Sequence, residues 1–70
     1  MERVSSGMAE LMNICNAAKW HREHCHPNKD EENCNVALYL LGLTAKRLVE
    51  YCWLSERNTA RRIISETNFS

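Results

Sequence analysis

The hydrophobic positions fall into three stretches with helical spacing. In the first, Val4, Met8, Leu11, Cys15 and Ala18 recur at alternating intervals of four and three, with Met12 and Ile14 widening the stripe, as one buried helix face requires. This predicts a helix over about residues 6–25, stopped by Pro27. Asn28, Lys29 and Asp30 supply a turn, Asn28 or Asp30 the next N-cap, and Glu31 and Glu32 suit the positive end of a helix beginning near residue 31.

That second helix carries a longer seam. Cys34, Leu38, Leu41, Ala45, Leu48 and Cys52 keep the four-three rhythm straight across Gly42, which predicts one helix over about 31–54. Val36, Leu40 and Leu43 give its first half another apolar side, and a single neighbouring helix covers only one side. Ser55 is placed to cap a third helix over about 56–66, where Ala60, Ile63 and Ile64 form a stripe with Phe69 beyond it.

Folding the first two helices back on each other about a loop centred between Lys29 and Asp30 sets Cys25 against Cys34, Ala18 against Leu41, Leu11 against Leu48, and Met8 near Cys52. Apolar side chains meet apolar side chains throughout, so pattern and topology agree. The expected fold is all-α: an antiparallel helical hairpin (6–25 and 31–54) plus a short C-terminal helix (56–66), with two copies dimerising through Val36, Leu40 and Leu43 into a helical bundle.

Composition narrows the picture further. Two glycines, one proline and few β-branched residues disfavour a sheet. Seventy residues make one domain, 1–70, small enough that its core needs a staple: a disulfide, a metal or a second copy of the chain. Nine basic residues balance nine acidic ones, which excludes a protein that coats nucleic acid or membrane through global charge. The longest apolar run, Val36 to Leu43, is less than half a membrane span, and Met1 to Gly7 lacks a basic stretch leading into an apolar one, so no membrane partner is expected. Cys15 and Cys52 lie on apolar helix faces, where a reduced cysteine acts as a small hydrophobe, and this favours a reducing, cytoplasmic location.

The stretch richest in chemical groups is His21-Arg22-Glu23-His24-Cys25-His26, with Cys34 facing it across the hairpin. His21, His24, Cys25 and Cys34 could assemble a nitrogen–sulfur set for zinc, but no Cys-x-x-Cys pair or common zinc spacing is present. The favoured reading has Cys25 and Cys34 as thiols packed at the hairpin mouth with solvated histidines; a Cys25–Cys34 disulfide is the third possibility. No metal or other cofactor is expected. Catalysis needs a nucleophile beside a base in a cleft that excludes water, and a small hairpin has little concave volume for one, so a non-enzymatic protein is expected.

From Lys46 onward the chain carries a local excess of two positive charges, while residues 27–45 carry a net two negative. The segment 44–66, from Thr44 through Trp53, Leu54 and Ser55 to Arg62 and Ile63, resembles a helix-turn-helix, which implies a DNA-binding regulator with Arg57, Arg61 and Arg62 on phosphates or bases. It departs from that pattern at Trp53, which stands where the turn usually has glycine, and at Ala60 and Ile63, which fall one residue late. The reading preferred over it is a small adaptor, inhibitor or regulator that self-associates and binds a larger protein. Val36, Leu40 and Leu43 are its dimer contacts, and Tyr39, Trp53, Arg57 and Arg61 its partner contacts; aromatic and arginine side chains are common interface anchors.

Overall fold

The computed structural model describes residues 3–25 and 31–69. Among them the elements are α1 (Ser6–His24), α2 (Glu31–Leu48), two 3₁₀ turns (Val49–Tyr51 and Leu54–Glu56) and α3 (Arg57–Thr67), with no strand. The expected all-α hairpin with a third helix is present. The anticipated N-cap at Asn28 or Asp30 lies outside the described residues.

Each helix buries the stripe its sequence marks out. Met8, Leu11, Cys15 and Ala18 of α1 are buried against Leu38, Ala45 and Leu48 of α2, and Leu11 has no exposed surface at all. Ala60 completes the core from α3, with Ile63, Ile64 and Phe69 packed against it. Two stripe residues fall outside and are about half exposed: Val4 precedes the Ser5 cap and so lies off the helix, and Met12 lies beyond the arc over which α1 meets its neighbours.

The second helix ends six residues earlier than its seam predicts. It stops at Leu48, and the chain passes through a 3₁₀ turn to Cys52 and Trp53, both extended, at φ −85°, ψ 152° and φ −61°, ψ 150°. Cys52 still reaches the core; its thiol donates to the Leu48 carbonyl at 3.3 Å. The reason for the break lies across the interface, where Gly7 of α1 is pressed against the Tyr51 backbone. A Cβ on Gly7 would come within 2.5 Å of the Tyr51 carbonyl carbon, so the two backbone segments approach at a distance that only glycine permits.

A second tie holds the same end of the molecule. Ser5 caps α1, its Oγ accepting from the Met8 N–H at 3.1 Å. The same hydroxyl donates to the Glu56 carboxylate, which also accepts from the Ser5 N–H at 3.0 Å and the Trp53 N–H at 2.9 Å. One carboxylate thus joins the start of α1 to the turn that launches α3. At the other end Arg22 donates to the Asn68 carbonyl at 3.1 Å, so α3 runs alongside α1 in the same direction and antiparallel to α2. Asn68 ends α3 in the left-handed conformation, φ 56°, which asparagine tolerates better than most residues. Ser55, the expected cap of the third helix, is instead an exposed residue inside the second 3₁₀ turn.

Partial burial pushes the Glu56 carboxyl up, but the hydrogen bonds from Ser5 and from the Trp53 N–H outweigh it and hold the group below its ordinary value of 4.5. A carboxyl lowered by folding contributes stability that is complete above its unfolded pKa and is lost as pH falls through the folded one. Wild type should therefore lose stability relative to Glu56→Gln as pH drops from about 6 to about 3; parallel urea midpoints for the two proteins across that range would refute this assignment. Gly7→Ala should destabilise by roughly 2 kcal/mol or more through overpacking against fixed backbone, measured as a lowered urea midpoint.

Candidate functional site

The outward side of α2 presents a run of exposed large apolar side chains; Tyr51, Trp53 and Leu54 in the turns before α3 are exposed as well. At 100° per residue, Val36, Leu40 and Leu43 project opposite Leu38 and Ala45, which face the core. Val36 is 54% exposed, Tyr39 63%, Leu40 55% and Leu43 44%, so four large apolar side chains lie together on one solvent-facing stripe. Contiguous exposed apolar area of this kind marks an interaction surface more often than it marks chance.

The stripe continues into charge at both ends. Glu32 and Arg47 lie on the same side of the helix as Val36 and Leu43, one turn beyond the apolar residues, and both are exposed. The acidic start of α2 suits the helix dipole, and the unbroken helical spacing through residues 32, 36, 39, 43 and 47 also ties it to this surface. Beside the stripe, α2 and α3 enclose an open groove of about 490 Å³, with Tyr39, Leu43 and Lys46 on one wall and Ile64 and Phe69 on the other. Gly42 lets the Phe69 side chain rest directly on α2, since a Cβ there would lie 3.0 Å from the Phe69 Cβ.

The remaining candidates are spread over other parts of the surface. Trp53 is 53% exposed and shares a shallow groove with Arg3, Val4 and Thr59 at the Ser5–Glu56 end. Arg57 is half-buried and donates to the Glu50 carbonyl at 3.2 Å, with its Nε buried and unpartnered. Its guanidinium braces the turn into α3. Arg61 and Arg62 are exposed, and Arg61 donates to the Asn58 side chain at 3.4 Å. The structure therefore brings Val36, Tyr39, Leu40 and Leu43 together, places Trp53 in a separate groove, and sets Arg61 in a groove with Lys46 beyond the C-terminal end of the stripe.

No helix begins at Thr44, as the helix-turn-helix resemblance would have it. The Thr44 hydroxyl donates back to the Leu40 carbonyl at 3.1 Å inside α2, which runs unbroken through Gly42. Nor does the turn contain a left-handed residue, since Asn68 is the one non-glycine position with positive φ among the described residues.

At the hairpin mouth the reading of free thiols is corrected: Cys25 and Cys34 form a disulfide, with Cα atoms 6.3 Å apart. The hairpin register that set these residues opposite each other supplies the required separation. The bridge also takes two of the four thiols out of the case for a reducing compartment, while Cys15 and Cys52 remain buried thiols. Nearby, His24 stacks on Trp20 at a centroid distance of 4.3 Å, and its Nδ1 lies 2.9 Å from the Trp20 carbonyl oxygen. With both sulfurs bridged, His21, His24, Cys25 and Cys34 offer no thiolate to zinc, and no other group of three metal-ligating side chains comes together among the described residues. No helix among them is long and apolar enough to cross a membrane.

Compared with protein-family models, with curated proteins and with solved structures, the chain matches none.

The bridge closes a short loop, and limiting the unfolded chain in this way is worth about 2–3 kcal/mol. Cys25→Ser with Cys34→Ser should lower stability by that amount, and reductant should do the same to wild type. Identical denaturation curves with and without reductant would show that the bridge adds nothing.

Proposed function

We propose that the protein is a non-enzymatic binding module that works by self-association and by engaging a larger protein, as an adaptor, inhibitor or regulator. The observation that carries this reading is the stripe of half-exposed Val36, Tyr39, Leu40 and Leu43 on the side of α2 that neither α1 nor α3 covers. The total surface supports it. The chain exposes 5483 Å², whereas scaling for a compact monomer of its mass gives roughly 4,500 Å². Its extents of 43 × 22 × 17 Å describe an elongated body whose long side is available for a neighbour.

Val36, Leu40 and Leu43 are the dimer contacts in this proposal. Trp53 with its neighbour Val4, together with Arg61, serves the larger partner from the other surfaces; exposed aromatic and arginine side chains are the usual anchors of such contacts. Leu40 is exposed in the monomer, so changing it alters association without emptying a core site.

Light scattering after size exclusion should give a dimer for wild type at about 100 μM, a concentration suited to a reversible interface. Leu40→Asp should give a folded monomer, while Arg61→Ala should remain dimeric. A wild-type monomer at that concentration, or a Leu40→Asp dimer, would overturn the reading.

A further inference from the structure

We infer that the partner on this stripe is a second copy of the chain packed antiparallel, with a two-fold axis crossing α2 between residues 39 and 40. This rests on the self-association proposed above and adds its geometry. An interface between identical copies related by a two-fold axis must be complementary to itself. The exposed stripe of α2 has that property in the order of its apolar residues and in its charge.

Place the axis between Tyr39 and Leu40 and turn the second helix end for end. Val36 then meets Leu43 of the second copy, Tyr39 meets its Leu40, and Glu32 meets its Arg47. Each pairing occurs twice, once on either side of the axis. The apolar residues fill the centre, and opposite charges flank them at both rims, the arrangement that fixes register at an interface. A parallel pair in register would instead set Glu32 against Glu32 and Arg47 against Arg47, placing like charges together at both ends. The backbone favours the same choice: antiparallel helices bring the negative end of one dipole beside the positive end of the other.

Among the described residues the stripe is open to approach. Gly42 and Phe69 lie around the side of α2, where the C-terminal residues pack, and the bridge at Cys34 lies on the core-facing side. Tyr39 thereby changes role: it becomes a dimer contact near the axis, leaving Trp53 and Arg61 to the larger partner.

Cysteine cross-linking of the full-length chain reads the register directly, with unmodified protein as the control for Cys15 and Cys52. Leu40→Cys stands within one residue of the axis and should form a covalent dimer under mild oxidation. Val36→Cys alone and Leu43→Cys alone should not, since each is displaced about 10 Å along the helix from its own copy. An equimolar mixture of the last two variants should cross-link. Charge reversal gives a second, independent reading: Glu32→Arg or Arg47→Glu should weaken the dimer about three- to tenfold, and the two together should restore it. Cross-linking by all three single variants, or failure of the double reversal to restore association, overturns the antiparallel register. If light scattering still shows a dimer that Leu40→Asp dissociates, the self-association reading survives that outcome; a wild-type monomer removes both.

Discussion

A three-helix chain of this length has one interior, and α2 carries apolar residues on two sides. That mismatch governs much of the rest. One side of α2, through Leu38, Ala45 and Leu48, is buried against α1 and the turn that follows. The other, through Val36, Leu40 and Leu43, is covered by no helix among the described residues: α3 runs beside α1, and Phe69, just beyond its end, rests on α2 at Gly42. The free side is therefore a product of the order in which the described helices pack.

The fold concentrates its precise contacts at the end remote from the hairpin loop. Gly7 against Tyr51 and Ser5 against Glu56 fix where α2 must stop and where α3 must start. Both are contacts between residues far apart in sequence, and both involve backbone, so neither tolerates much change in geometry. At the loop end the constraint is covalent, through Cys25 and Cys34. The hairpin is thus closed at both ends by different physics.

Much of this was legible in the residues. The helical spacing of Met8, Leu11, Cys15 and Ala18, matched to that of Leu38, Ala45 and Leu48, identified the core faces and the hairpin register, and the same register set Cys25 opposite Cys34. The apolar surplus at Val36, Leu40 and Leu43 was equally visible, because exposure follows from the helix period once the buried face is known. The end of α2 was not. The seam runs on to Cys52, and a buried side chain there looks the same whether it projects from a helix or from the extended residue after one. Nor was the role of Glu56, because its partners, Ser5 and the Trp53 N–H, are brought to it by tertiary structure and by a 3₁₀ turn. The choice between thiol, metal and bridge at the hairpin mouth also lay beyond spacing, since all three place two cysteines face to face.

The bridge has a topological effect separate from its energy. Residues 25 to 34 form a closed covalent ring with the helices emerging as two arms. A single peptide cleavage inside that ring opens it without separating the arms, so a nicked molecule keeps α1 and α2 as one covalent body under oxidising conditions. Only reduction would then release two fragments. Survival of a cut and sensitivity to thiols are, in this protein, set by the same pair of sulfur atoms.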